Sequence, residues 1–155
     1  MQYRHEVKHE ISNLDMLILR QRLRAVMAPD SHAIDGQYEI RSLYFDNPDD
    51  KALREKLDGV SRREKYRIRM YNNDPSVIRL ERKFKCSGLG YKESALLTQA
   101  QACQIAGGDI HWMAASTDEV ILRFYTCLRN EGLAAKVIVD YTREPFVFVP
   151  GNVRV

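Results

Sequence analysis

The chain has 155 residues, 45% of them hydrophobic and 29% charged, with a formal net charge of +3. That composition belongs to one folded domain with enough apolar material for a core, and it excludes a disordered polyelectrolyte. So small a positive excess does not by itself point to nucleic acid; the placement of the cations matters more than their sum.

"YRHEVKHEI" (3–11) alternates as a first strand does. Ser12, with Asp15 three residues on, then opens a helix in a capping-box arrangement. Leu14, Leu17, Ile18, Ala25 and Val26 give that helix a side to bury, and it stops near Met27, before Pro29. "QYEIRSLYFD" (37–46) is aromatic and β-rich, a second strand. Asn47-Pro48 starts a short helix over 48–57. Strands follow at 63–71 and 76–86, joined by the turn "NNDP", and "SGLG" (87–90) leads into a strand at 91–97. Thr98 with Gln101 opens a helix that ends at Gly107-Gly108. Ser116 with Glu119 opens a longer one that Gly132 ends. "AAKVIVDYTR" (134–143) is a strand, "FVFV" (146–149) continues it or pairs back, and "PGN" (150–152) turns into a last strand. No internal repeat is found. The class is α+β with a large antiparallel component.

Cys86, Cys103 and Cys127 are far apart and odd in number, so neither a disulfide framework nor a C-x-x-C zinc site is expected. The N-terminus is too polar for a signal peptide and no apolar run has membrane-spanning length, so the expected location is the cytoplasm. His5 and His9 have an i, i+4 spacing, but on a strand they lie about 13 Å apart, too far to share a metal. Trp112 and Tyr125 read as packing residues. "SRREKYR" (61–67) resembles a nucleic-acid patch in composition, but its period of two reads as a strand, which argues against a nucleic-acid partner.

Side-chain parity then sorts the strands. Arg4, Glu6, Lys8 and Glu10 share one face of the first. Lys65, Arg67 and Arg69 share a face of the third. Arg79, Glu81 and Lys83 do so on the fourth, Lys92 and Ser94 on the fifth, and Tyr141 and Arg143 on the sixth. Arg154 follows the last turn. An antiparallel sheet with one wet face explains any single strand. It explains the set less well, because like charges on adjacent strands repel. Two cations about 4 Å apart repel by roughly 1 kcal/mol in water and about 4 kcal/mol at intermediate dielectric. If the sheet curls into a barrel with these faces inward, an anion must sit among them, and guanidinium groups match phosphate oxygens in pairs. Neither a G-x-x-x-x-G-K-[ST] loop nor a G-x-G-x-x-G turn is present, so side chains rather than backbone amides would cradle the phosphates.

The set of motifs resembles a known family. Glu6 and Lys8 as "ExK", "SLYFD" (42–46), "RIR" (67–69), "LERK" (80–83), "YKES" (91–94) and "DYTREPF…GNVRV" (140–155) run in the order found in the VTC domain. That is the catalytic domain of polyphosphate polymerases, within the CYTH-like, triphosphate-tunnel superfamily. The resemblance implies an antiparallel β-barrel tunnel with flanking helices, covering residues 1–155 as one domain. It implies binding of ATP and polyphosphate, with transfer of the ATP γ-phosphoryl to the growing chain, aided by a divalent metal, manganese or magnesium. Carried over by motif, Arg67, Arg69, Lys83 and Arg143 would be the catalytic cations. Lys8, Lys92, Tyr141 and Arg154 would bind substrate, and Glu6 and Glu81 would hold metal or pair with neighbouring cations. The resemblance also implies further strands beyond Val155, so the barrel is expected to be incomplete or open. Open edges would suit a homodimer, and a membrane-protein partner is a further expectation. Two other functions fit the same residues: a triphosphatase acting on inorganic triphosphate or RNA ends, and a non-catalytic module binding polyphosphate or nucleotide.

Overall fold

The computed structural model describes residues 7–155, and the chain divides into two compact units, which are taken separately. The first covers Ile40–Asp140 and the second residues 7–39 with 141–155.

The first unit is built on a five-stranded sheet. Its strands are β2 (Tyr38–Asp46), β3 (Arg63–Tyr71), β4 (Asp74–Cys86), β5 (Leu89–Leu97) and β6 (Ala134–Arg143), in the order β5-β4-β3-β2-β6; the short β1 belongs to the second unit. The pairs β2/β3, β3/β4 and β4/β5 are antiparallel. Two-residue turns set the meander. Asn72 and Asn73 both have positive φ (51° and 52°), as do Ser87 and Gly88 (49° and 83°). Turns with this pair of conformations match the twist of the strands they join, and asparagine and glycine tolerate them best. Tyr71 therefore pairs with Asp74 and Cys86 with Leu89, so β4 and β5 begin two residues earlier than composition suggests.

One face of this sheet is apolar. Phe45, Tyr66, Ile68, Ile78, Leu80, Ala95 and Leu97 form a buried cluster with Ile105 of α3 (Gln99–Ala106), Met113 of a 3₁₀ turn (His111–Ala115), and Ile121, Phe124 and Cys127 of α4 (Glu119–Asn130). Phe124 is fully buried, its ring stacked on Tyr66 at 4.8 Å and edge-on to Phe45 at 4.9 Å. Trp112 and Tyr125 pack against this cluster, as their sequence context suggests.

The helix starts show where local signals compete. Thr98 and Gln101 form the expected reciprocal cap. α4 starts later than the Ser116–Glu119 pattern indicates: Asp118 is the cap, its carboxylate accepting from the amides of Val120 and Ile121, while Ser116 Oγ accepts from Asp118 N. The helix expected over 48–57 is only α2 (Lys51–Leu57). Asp50 is left-handed (φ 56°), and the exposed amides of the first turn are taken by Asn47 Oδ1 and the Asp46 carboxylate.

In the second unit, α1 (Asn13–Val26) has the Ser12–Asp15 capping box. A three-stranded antiparallel sheet pairs β1 (Ala28–Pro29) with β7 (Phe146–Phe148) and β7 with β8 (Val153–Arg154). Two expectations need correction. Residues 7–11 form no strand, and 3–6 lie outside the described residues. The apolar stripe of α1 has no buried residue; Leu14 and Leu17 are 67% and 49% exposed, because strands of two or three residues are too small to cover it.

The fold is α+β with antiparallel sheets, and among the described residues neither sheet closes into a barrel. No helix among them is long and apolar enough to cross a membrane. Phe124→Ala should destabilise the first unit by about 3–5 kcal/mol, the cost of emptying an aromatic core site, as read by urea unfolding.

Candidate anion-binding site

The second face of the same five-stranded sheet carries the charges, and the register lines them up in rows. Lys65 lies opposite Lys83, and Lys83 opposite Lys92, so three lysines cross β3, β4 and β5 side by side. The next row is Tyr44, Arg67, Glu81 and Ser94, and the one after it Ser42, Arg69, Arg79 and Leu96. Within these three rows Glu81 is the only carboxylate.

Burial separates this arrangement from an ordinary wet face. Glu81 is 0% exposed and Arg69 5%. A buried carboxylate is costly unless it is paired and hydrogen-bonded. Glu81 has both: Oε2 accepts from Arg67 Nε at 2.8 Å and lies 2.6 Å from Nη2, and Oε1 accepts from Lys92 Nζ at 2.8 Å. Burial pushes the Glu81 carboxyl up, but the Lys92 hydrogen bond and the Arg67 charge outweigh it and hold it below the usual glutamate range. Arg67 also donates through Nη1 to the Tyr44 hydroxyl at 2.9 Å, and Arg69 Nε donates to Ser42 Oγ at 2.9 Å. Burial raises the Tyr44 phenol; Arg67 and Lys65 overcome this and bring it below its ordinary value. Lys65 is shifted down, first by burial and then by Lys83 and Arg67, with Tyr44 opposing.

Of the residues singled out by sequence, Arg67, Arg69, Glu81, Lys83 and Lys92 therefore share one face of the first unit. The others belong to the second unit or lie outside. Tyr141 and Arg143 end β6, both exposed, with Arg143 Nη2 donating to the Tyr141 hydroxyl at 3.5 Å. Arg154 of β8 sits 3.7 Å from Asp30, whose carboxylate also accepts from the His32 amide at 3.0 Å. Lys8 is exposed and in no helix or strand. Glu6 lies outside the described residues.

Four residues of the face were not singled out as site residues by sequence. Lys65 and Arg79 have the right parity, so a stricter use of the alternation would have included them. Tyr44 and Ser42 enter only through the β2–β3 register, which no local pattern reveals. Arg82 has the opposite parity and a closed environment: it donates to Glu64, to Glu93 Oε2 at 2.9 Å and to the Tyr91 hydroxyl at 3.1 Å.

These residues do not fit a resident metal. Both oxygens of Glu81 are held by cations, and an ion there would have to displace Lys92. Glu64, Cys127 and Glu131 also come together, toward the helix-covered side. There Glu64 is paired with Arg82 and Glu131 with Lys51, and burial pushes the Cys127 thiol up, away from the thiolate a metal needs.

Glu81 should make stability acid-sensitive. A carboxyl held below its unfolded value stabilises fully above that value, 4.5 here, and loses its contribution as pH falls below it through the folded value. Glu81→Gln should cost about 3–5 kcal/mol at pH 7, by leaving Arg67 buried without its counter-charge. The loss should shrink toward pH 3, as measured by thermal unfolding across the pH range.

A comparison with curated proteins found no match. The model of one protein family, the VTC domain, matches residues 3–155, nearly the full length. With its α+β fold and a basic sheet face carrying the "RIR", "LERK" and "YKES" strands in register, this chain belongs to the VTC domain family, which has a polyphosphate-polymerase-like fold of the CYTH-like superfamily.

Proposed function

We propose that the chain binds ATP and polyphosphate on its basic sheet face and transfers the ATP γ-phosphoryl group to the end of a growing polyphosphate. The observation that carries this reading is the cross-strand registration of Lys65, Lys83, Lys92, Arg67, Arg69 and Arg79 around one carboxylate. Cations in these positions repel one another, and a polyanion laid across them removes the repulsion.

The chemistry needs little else. The attacking group is a phosphate oxygen already ionised at neutral pH, so no general base is required. Phosphoryl transfer then depends on in-line placement and on neutralising the charge of the equatorial and leaving oxygens. Arg67 and Arg69 are held rigidly, by Glu81 with Tyr44 and by Ser42, and fixed guanidinium groups lose little entropy when a phosphoryl group docks. Lys83 and Lys92, on shorter point-charge heads, would follow the chain of phosphates from strand to strand. In this reading Glu81 serves the cations beside it.

ATP supplied with manganese or magnesium should yield long polyphosphate, resolved on a polyacrylamide gel, and Arg67→Ala should reduce the yield at least about 100-fold, the scale of one lost transition-state charge contact. Release of inorganic phosphate without polymer would identify a triphosphatase. Binding of polyphosphate without turnover would identify a non-catalytic module. Equal binding of tripolyphosphate by wild type and Arg67→Ala would remove the basic face from consideration.

A further inference from the structure

At the β2 side of the basic face several donors have no acceptor among the described residues. Tyr44 Oη accepts from Arg67, so its own O–H points elsewhere, and no acceptor for it is found among the described residues. Arg67 spends Nε, one Nη2 hydrogen and one Nη1 hydrogen on Glu81 and Tyr44, which leaves two of its five N–H groups. Lys65 has no carboxylate within ion-pair distance among the described residues. Its ammonium lies 5.3 Å from the Tyr44 ring centroid, and the Arg67 guanidinium carbon 5.8 Å from it. All three side chains are half-buried. The repulsion between Lys65, Lys83 and Arg67 falls on this group, and an anion that accepts from its spare donors relieves it.

We propose that Lys65, the Tyr44 hydroxyl and the two remaining Arg67 N–H groups form a subsite for a single phosphoryl group, at the β2 side of the basic face. This rests on the reading of that face as a polyphosphate site. The Arg67 guanidinium reaches the Tyr44 hydroxyl directly and the Lys65 ammonium lies over the same ring, so an oxyanion held beside Tyr44 would find a donor on each. Tyr44 is matched to its task by Arg67: a phenol that already accepts an N–H from a cation is a better donor to an anion. Lys65 keeps a cation–π contact with the Tyr44 ring but has no counter-charge among the described residues. Its two companions in the same row differ, since Lys92 has Glu81 and Lys83 has interactions of its own.

The probe is inorganic tripolyphosphate, titrated by calorimetry into the full chain. Tyr44→Phe keeps the ring and removes only the hydroxyl; it should weaken binding about ten-fold, the value of one hydrogen bond to a charged group. Lys65→Gln should weaken it by about ten-fold or more, and the double variant should lose less than the product of the two, since both hold the same phosphoryl group. Arg129→Gln, an exposed position on α4, loses the same charge and should bind as wild type. If both Tyr44→Phe and Lys65→Gln bind within about two-fold of wild type while Arg67→Ala does not, the subsite is overturned and the basic face keeps its role. If Arg67→Ala also binds as wild type, or the wild type does not bind, the reading of the face fails and the subsite with it. Unfolding temperatures within a few degrees of wild type tie the losses to binding.

Discussion

A single buried carboxylate lets this sheet exist in its observed register. Pairing β3 with β4 and β4 with β5 sets lysine against lysine and arginine against arginine, each a destabilising contact. Glu81 sits at the middle of that array, fully buried, and gives one oxygen to Arg67 and the other to Lys92. It spans three strands with two ion pairs, and through Arg67 it reaches Tyr44 on a fourth. The desolvation of such a group is large, and only its complete set of partners offsets it. Glu81 therefore compensates two cations, while Lys65 and Arg79 have no carboxylate partner among the described residues.

The two faces of the sheet make opposite use of the same residue type. Arg82 points toward the helices and is closed in: Glu64, Glu93 and Tyr91 take its donors, so it contributes to the architecture and has little left to bind with. Arg67, one strand over and facing the other way, keeps donors unused. Lys65 and Arg79 have no carboxylate partner among the described residues. A protein that needed only stability would have paired or removed them; their retention beside a buried, pre-oriented guanidinium is what makes the face a candidate site. The apolar cluster around Phe124 holds the strands rigidly enough for these spacings to matter.

Much of this was legible in the chain itself. Strand alternation sets which residues share a face, because successive side chains must point to opposite sides, and so Arg67, Arg69, Glu81, Lys83 and Lys92 could be grouped without coordinates. β6 was bounded correctly from its β-branched run, and the caps at Ser12 and Thr98 from their reciprocal spacing. These are local properties, decided within a few residues by sterics and hydrogen bonding. Where two local signals competed, as Ser116 and Asp118 did for the start of α4, spacing alone chose the wrong residue.

Tertiary structure decided what depends on two segments meeting. Which residue of β3 faces which of β4 follows from two-residue turns at Asn72-Asn73 and Ser87-Gly88, and a shift of one residue there would have sent the cations to the helix side. The place of Tyr44 beside Arg67 follows from a β2–β3 register separated by a helix and a loop, so no window of sequence contains it. That Glu81 gives one oxygen to Arg67 and the other to Lys92 likewise follows from the register of three strands. Alternation is a property of one strand, whereas burial, register and charge compensation are properties of pairs, and they exist only once the strands have come together.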